Sequence, residues 1–289
     1  MKKILILAAV AAVFSGAIQA QTLADYANAG DAAMSSGKYQ EAIDNYVKAL
    51  ALDTDNTDYM TAFQLGTAYL QVGDQEKAGD AFKASIIKGN YDQGVVTNMK
   101  NAYEAAGKTE LLKQAYIDIK TANSAQTLSM DSKLYFIYSK EKDWDNALAC
   151  CKTILSDPDI TQDKQIKYYK YAAQLFLNTN QADSAEVYYD KVLAIDPNNA
   201  DVHKAMGYGF YNSIMNTTAR AQAAYNAKKN DAKNAAHYYA EMQTATKRAT
   251  LNYGPKAVHH LKIANETLKD PKITETINKL NNNIAAYKK

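Results

Sequence analysis

Histidine and cysteine are the residue types best suited to metal or redox chemistry, and their spacing in this chain favours neither. The chain of 289 residues has four histidines, and two of them, His259 and His260, are adjacent. Neighbouring side chains on a helix point about 100° apart, so they do not converge on one metal as residues four apart do. The pattern predicts one packed and one solvated imidazole, with no metal and no other cofactor.

The two cysteines, Cys150 and Cys151, are also adjacent. An ordinary disulfide joins Cα atoms roughly 4.4–6.8 Å apart, whereas consecutive Cα atoms are about 3.8 Å apart. No CxxC motif accompanies them, and the surrounding residues have helical periodicity. We therefore predict that both are small apolar core residues of a helix.

No motif of a common enzyme class occurs in the sequence. It has no nucleophile elbow, P-loop, dinucleotide-binding glycine motif or HExxH zinc motif, which are the patterns that place a nucleophile, a phosphate or a metal. A catalytic site would need carboxylates distant in sequence to converge, and nothing in the sequence favours that arrangement. We predict that the chain is not an enzyme.

The first twenty residues have the features of an export signal. Lys2 and Lys3 are followed by an apolar run over 4–14 and by small residues ending at Ala20. A basic start, an apolar stretch of about 7–15 residues and a small-residue exit are typical of a secretory signal peptide, whereas a membrane-spanning helix needs about 20 apolar residues. No cysteine lies at the exit, so we expect no lipid anchor. We expect a periplasmic or extracellular protein without a transmembrane segment.

Charge is distributed unevenly along the chain. The 33 basic and 31 acidic residues give a formal charge of +2, and removal of Lys2 and Lys3 leaves 31 minus 31, or zero. Residues 21–201 contain 17 basic and 26 acidic residues, a balance of −9, and residues 202–289 contain 14 and 5, a balance of +9. A basic end can steer an anionic partner or the acidic end of a second copy, whereas the compartment disfavours nucleic acid.

A repeat of about 35 residues organises the chain. Each of three small residues recurs 36 positions later: Gly30, Gly37 and Ala42 are matched by Gly66, Gly73 and Ala78. A period of this length indicates stacked pairs of helices. Small residues let the two helices approach closely, and neighbouring aromatic side chains fill the space beside the crossing.

These residues resemble the tetratricopeptide repeat (TPR) family. Its units have a small residue and an aromatic in the first helix, a glycine in the turn, and an alanine, an aromatic and an alanine in the second helix. The resemblance implies an all-α, right-handed superhelical solenoid of about six helical hairpins, the first five over 23–56, 59–92, 93–126, 128–160 and 166–199. The packing tyrosines would be Tyr39, Tyr46, Tyr69, Tyr103, Tyr116, Tyr138 and Tyr189.

The sixth hairpin is split. Its first helix is predicted around Met206, and its second helix begins only at Pro255. The helical runs between them, 219–228 and 232–251, are interpreted as an extension of the hairpin, and a last helix over about 273–287 would cap the stack. We thus expect a signal peptide over 1–20, repeats one to five over 21–201, and the split repeat with its insertion and cap over 202–289.

The resemblance implies a binding groove lined by the first helix of each hairpin. Such grooves bind extended peptides or partner helices. The candidate partner-binding residues are Phe63, Asn101, Phe136, Lys140, Lys167, Lys170, Lys204, Tyr208 and Tyr211. The lysines can hold a carboxylate or can simply be solvated charges on helix faces. The Lys/Asn/Arg clamp with which family members hold chaperone tails is incomplete, because no arginine falls in the groove.

Two functions follow as hypotheses. The first is a non-catalytic scaffold or adaptor of the bacterial cell envelope that binds a protein or peptide partner in the groove. The alternative is binding of an anionic glycan, a cell-wall polymer or a lipid headgroup by the basic C-terminal region. Self-association is a further possibility under either hypothesis.

Overall fold

The structure, a computed structural model, describes residues 21–231 and 233–288, and all regular elements in these ranges are helical. The signal peptide predicted over 1–20 lies outside the described residues. The chain divides into two compact units, of which the first ends at Asn123 and the second begins at Ser124. The grouping of repeats into 21–201 and 202–289 stays a prediction.

The first unit consists of three successive helical hairpins, in which each helix packs against the next along the chain. Their helices are α1 (Leu23–Ser35), α2 (Tyr39–Ala51), α3 (Tyr59–Gln71), α4 (Gln75–Ile87), α5 (Gln93–Ala105) and α6 (Thr109–Ala122). The hairpin period predicted from the glycines is therefore observed.

The second unit starts with a short 3₁₀ turn, Ser124–Gln126, and contains longer helices. These are α7 (Thr127–Glu141), α8 (Trp144–Leu155), α9 (Gln162–Asn178), α10 (Ala182–Leu193), α11 (Ala200–Lys228), α12 (Ala235–Leu268) and α13 (Pro271–Lys288). Helices α11 and α12 form a long hairpin, and α13 packs on α12. The all-α class, the hairpin repeat, the extended last hairpin and the C-terminal helix are confirmed.

Close helix approach explains why glycine recurs in the first helix of the first two hairpins. A Cβ atom on Gly30 would lie 2.4 Å from the ring of Tyr46, and one on Gly66 would lie 2.7 Å from the ring of Phe82. Carbon atoms in favourable contact are about 3.5–4.0 Å apart, so these rings can lie against the first helix only where it has no side chain. Four of the predicted packing tyrosines are buried: Tyr46, Tyr103, Tyr116 and Tyr189. The other three are half-buried: Tyr39, Tyr69 and Tyr138.

The turn inside each of the first five hairpins needs one residue with a left-handed backbone. Glycine supplies it in the first three hairpins, at Gly37, Gly73 and Gly107, where φ is 71°, 81° and 68°. The fourth and fifth hairpins place Lys142 (φ 62°) and Asn180 (φ 59°) at this position. The backbone conformation is therefore retained where the sequence match to the repeat weakens.

Replacing Lys142 with glycine is expected to raise the free energy of unfolding by about 0.5–1 kcal/mol, because a residue with a Cβ atom is strained in the left-handed region. Urea unfolding followed by the fluorescence of Trp144, the only tryptophan of the chain, measures the change. Lys142→Ala keeps the Cβ atom and is the matched control. An equal gain in both variants would show that the lysine side chain, and not the backbone, is the source.

The structure corrects the predicted start of the last repeat's second helix. Helix α12 does not begin at Pro255 but continues through it. Proline has no N–H group, so the carbonyl of Leu251 lacks its usual helical partner. Packing on both sides maintains the helix: Ala249 and Leu261 are buried, and a Cβ atom on Gly254 would lie 2.9 Å from Ile284 of α13.

The outer part of the α11–α12 hairpin contributes little to the core. The buried residues of α11 end at Ile214, and those of α12 begin at Ala249. Between these positions no described side chain of either helix is buried. Tyr225 and Tyr239 are in edge contact at 5.6 Å between ring centroids. The hairpin is therefore anchored by its base.

Candidate partner-binding surface

Helices α7 and α9 bring four aromatic rings into one cluster. The ring of Tyr135 stacks on that of Tyr171, with centroids 4.6 Å apart and planes 6° apart. The ring of Phe136 meets Tyr171 edge-on at 5.9 Å, and Tyr168 does so at 5.6 Å. Tyr135 and Tyr168 are buried, whereas Phe136 is 54% exposed. The cluster has a buried base and an open apolar top.

Helical periodicity places these side chains. On α7, Leu134 and Tyr135 face the core, and Phe136 lies on the next face, at the rim of the buried surface. On α9, Tyr168 and Tyr171 are three residues apart, and residues at that spacing are neighbours on a helix surface. The buried Ala172 seats α9 in the core, which fixes both tyrosines.

Lys167 lies against the aromatic cluster, and two further lysines are close to it in sequence on α7 and α9. The Nζ atom of Lys167 lies 5.5 Å from the ring centroid of Tyr168 and 5.6 Å from that of Tyr171, within reach of the attraction between a cation and an aromatic face. Lys140 follows Phe136 by one helical turn, and Lys170 precedes Tyr171. Within the described ranges, none of these three ammonium groups forms an ion pair. We call this set of four rings and three lysines the aromatic–lysine patch.

A cleft of about 460 Å³ lies between α9 and α11. Its walls are rich in amide side chains, and Tyr208 is also among the lining residues. The amides are Gln174, Asn178, Asn180, Asn212 and Asn216. We call this the amide cleft.

Hydrogen bonds order four of the five amides. Gln174 donates to the Oδ1 atom of Asn178 at 3.1 Å, and Asn216 donates to that of Asn180 at 2.8 Å. Each amide has two donor hydrogens and an acceptor oxygen with two lone pairs, so these bonds leave hydrogen-bonding capacity for a ligand. The same donors and acceptors complement the main chain of a peptide.

The remaining predicted residues lie elsewhere. In the first unit, Phe63 is half-buried with its ring centroid 5.8 Å from that of Phe82, and Asn101 is exposed. In the second unit, Lys204 forms an ion pair with Asp270 at 3.6 Å, and Tyr211 has a lysine of α13 6.0 Å from its ring centroid. The structure thus gathers Phe136, Lys140, Lys167 and Lys170, and places Tyr208 in the amide cleft. The part of all nine residues in partner binding stays a prediction.

Sequence reasoning missed several residues of the aromatic–lysine patch and of the amide cleft. Tyr135, Tyr168 and Tyr171 complete the aromatic cluster, and Asn180, Asn212 and Asn216 of the amide cleft were not anticipated. A local signal existed, since three of the four residues 168–171 are tyrosine, and Asn212 and Asn216 are four apart and so share a helix face. Only the packing of α7 against α9 joins Tyr171 to Phe136.

A buried imidazole pair was also missed. The Nδ1 atoms of His203 and His260 are 2.9 Å apart, and the Nε2 atom of His203 lies 3.0 Å from the carbonyl oxygen of Pro197. Both rings are buried, whereas His259 is exposed. The prediction of one packed and one solvated imidazole at 259–260 is therefore confirmed.

Metal and thiol chemistry find no support in the described part of the chain. No group of three or more potential metal-ligating side chains occurs there. Both cysteines are buried, as predicted, and burial raises the pKa of Cys151 to about 12. A thiol with so high a pKa is a poor nucleophile at neutral pH.

Across residues 21–231 and 233–288, no helix is long and apolar enough to cross a membrane.

Comparison with protein families gives two matches. The profile described as TPR repeat matches residues 30–73, and the profile described as Tetratricopeptide repeat matches residues 165–199. The first range spans most of the first hairpin and the beginning of the second, and the other spans the fifth.

Curated relatives include two proteins named Photosystem I assembly protein Ycf3. The one from Prochlorococcus marinus is 28% identical over 113 residues, which is 38% of this chain and 65% of the relative. The one from Acaryochloris marina is 34% identical over 90 residues, 28% of this chain and 54% of the relative. The chain thus spans less than two thirds of the length of either relative.

Solved structures with some likeness to this chain include MamA and YrrB. MamA is 19% identical with a TM-score of 0.36, over 62% of this chain and 94% of MamA. YrrB, a TPR protein with an unusual peptide-binding site, is 18% identical with a TM-score of 0.35, over 61% of this chain and 87% of YrrB.

Proposed function

We propose that this chain, a tetratricopeptide-repeat protein, is a non-catalytic scaffold or adaptor of the bacterial cell envelope that binds a protein or peptide partner. TPR proteins bind protein partners, and the finer assignment rests on the surface of the second unit and on the N-terminal pattern. The signal-like residues 1–20 support export to the periplasm or beyond the cell.

The observation that carries the proposal is the exposure of Phe136 above a buried aromatic base. A phenylalanine that is 54% exposed leaves apolar surface in water, and partner binding would remove that surface. Aromatic side chains that become buried at the centre of an interface contribute much of its binding energy. Lysines without ion pairs around the ring add attraction for an anionic partner.

In-cell photo-crosslinking tests the proposal. We expect a photoreactive amino acid at Phe136 or Lys170 to give a discrete crosslinked protein, because both positions lie on the aromatic–lysine patch. Val187 of α10 is the matched control, since it is an exposed apolar side chain (56%) outside this patch. Crosslinked products are separated by electrophoresis and identified by mass spectrometry, and fractionation of the same cells checks the compartment. Products no stronger than those from Val187 would contradict the proposal.

A second candidate function rests on the outer part of the α11–α12 hairpin. Six basic residues are exposed there, and only Asp231 and Glu241 are acidic between Ile214 and Ala249. The basic residues are Arg220, Lys228, Lys229, Lys233, Lys247 and Arg248. Such a cluster attracts anionic glycans or lipid headgroups. Binding to vesicles with anionic lipid that disappears when Lys228, Lys229 and Lys233 are all changed to glutamine would favour this function.

A further inference from the structure

We infer that the ligand of the second unit is an extended peptide segment of about five residues, in which an aromatic side chain is flanked by acidic ones. The aromatic–lysine patch would hold the side chains, and the amide cleft would hold the main chain. The inference rests on the proposed function, since it specifies the partner segment that the adaptor recognises.

The exposed ring of Phe136 favours a ligand with an apolar or aromatic side chain at the position that contacts it. Its edge rests on Tyr171, which is itself stacked on the buried Tyr135. The ring is therefore held by its neighbours before a ligand arrives, so little side-chain entropy is lost on binding. Aromatic pairs prefer offset-stacked or edge-to-face contact, and both arrangements are open to a ring that docks on the exposed part of Phe136.

The positive charges of the lysines favour acidic residues next to the aromatic residue of the ligand. From Lys164 to Asn178, helix α9 carries three lysines and no acidic residue. Lys167 is positioned over two tyrosine rings. The exposed acids near the patch are Asp163, one turn before Lys167, and Glu141, which follows Lys140. Since the lysines of the patch form no ion pair within the described residues, a ligand carboxylate can bind them without breaking an internal ion pair.

The length of the strip from the aromatic–lysine patch to the amide cleft favours an extended conformation of the bound peptide. Lys167 and Asn178 lie eleven residues apart on α9, which is about 16 Å along a helix axis. An extended chain covers that distance in about five residues, at about 3.3 Å per residue. The aromatic–lysine patch is at the N-terminal end of this strip, and Gln174 and Asn178 of the amide cleft are at its C-terminal end. One short peptide can therefore contact both.

The amide cleft complements the main chain of an extended peptide. Amide side chains supply donors and acceptors together, in the combination that an extended main chain presents at every residue. A sugar ring can also stack on Phe136, and its hydroxyl groups also donate and accept hydrogen bonds, so an acidic oligosaccharide is a competing occupant in the test below. A second copy of this chain is the other possible occupant.

Fluorescence anisotropy with labelled pentapeptides tests the inference. The probe has one phenylalanine between two acidic residues, followed by glycine and serine. Two comparison peptides replace the phenylalanine with serine or both acidic residues with lysine. We expect the probe to bind the purified protein at least about tenfold more tightly than either comparison peptide, since a central aromatic anchor and complementary charge each contribute about that factor or more. Equal affinity for all three peptides would overturn the inference.

Variants locate the binding. Phe136→Ala is expected to weaken probe binding about tenfold or more, and Lys167→Gln with Lys170→Gln to weaken it and reduce its dependence on salt. The matched controls are Val187→Ala on α10 and Lys152→Gln on α8, which change exposed residues outside this surface and should leave binding unchanged. Loss of binding in the controls as well would contradict the assigned site.

Three further outcomes separate this inference from the proposed function. If crosslinking captures a partner but the probe does not bind, the adaptor function stands and the peptide chemistry is wrong. If sedimentation shows dimers that Phe136→Ala abolishes, the occupant is a second copy. If an acidic oligosaccharide binds at Phe136 with higher affinity than the probe, the occupant is a glycan. Either of these last two results overturns the peptide inference.

Discussion

Replacing Lys88 with methionine is expected to lower the free energy of unfolding of the first unit by about 3 kcal/mol, because one member of a buried ion pair would be left without its partner. The Nζ atom of Lys88 contacts the carboxylate of Asp53 and the Oδ1 atom of Asn56. The side chains of Lys88 and Asp53 are only 9% and 4% exposed. Methionine keeps the apolar stem but removes the charge.

The rest of the Asp53 environment explains why the loss is large. Its carboxylate also accepts hydrogen bonds from the main-chain N–H groups of Thr57 (3.1 Å) and Asp58 (3.0 Å). Burial alone would raise the pKa of Asp53, but the hydrogen bonds from Lys88 and the two N–H groups, together with the charge of Lys88, lower it below its usual value. The carboxylate therefore stays ionised at neutral pH, and in the variant it would be a buried charge.

Hydrogen exchange measured by mass spectrometry reports this loss locally. We expect amides of α2, α3 and α4 to exchange about 100-fold faster in Lys88→Met, since about 1.4 kcal/mol corresponds to a factor of ten. Lys83→Met is the matched control, because Lys83 pairs with Asp118 at 3.4 Å with both side chains about one third exposed. Surface pairs contribute only about 0–1 kcal/mol. Equal acceleration in the two variants would contradict the special role of the buried pair.

Lowering the pH from 6.5 to 4 is expected to remove about 3 kcal/mol of stability from the second unit through His260, since each pKa unit corresponds to about 1.4 kcal/mol. Burial, and then the neighbouring His203, His259 and Lys256, lower the pKa of His260 from 6.5 to about 4. Below pH 6.5 the unfolded chain therefore binds a proton that the folded chain does not. This stabilising contribution is fully present above pH 6.5 and is lost as the pH falls towards 4.

Comparison of variants isolates this histidine from the many carboxylates that titrate in the same range. His260→Asn retains an amide group near the position of Nδ1 and should show a shallower fall of the urea midpoint between pH 6.5 and 4 than the unchanged protein. His259→Gln alters the exposed neighbour and should keep the original slope. Unchanged slopes in both variants would mean that His260 does not carry the effect.

The sequence predicts the hairpins well because their determinants are local and periodic. Gly30 and Gly66 are spaced by the repeat, and each faces an aromatic ring sixteen residues later. The continuous α12 escaped prediction because Pro255 breaks a helix in isolation, while the packing of Gly254 against α13 is a tertiary effect. Here tertiary packing outweighs a local preference.

The candidate surface was only partly predictable for a similar reason. The repeat places Phe136, Lys140, Lys167 and Lys170 on first helices, and the structure retains them there. The repeat pattern does not predict the ion pair between Lys204 and Asp270, which lies in the turn before α13. The buried pair of Asp53 and Lys88 has a signal that was overlooked: the two residues are 35 positions apart, one repeat length, so they occupy corresponding places in adjacent hairpins.

The long α11–α12 hairpin has an evolutionary consequence. Its buried side chains stop at Ile214 and resume at Ala249, so the outer segment sets neither the repeat register nor the contacts of the core. Insertions or deletions matched in the two helices would alter how far it projects without shifting any buried residue. A one-residue insertion between Asp53 and Lys88 would instead move one charge away from the other. Gene duplication can lengthen such a chain by whole hairpins, and the tip near Lys229 is where it can change length gradually.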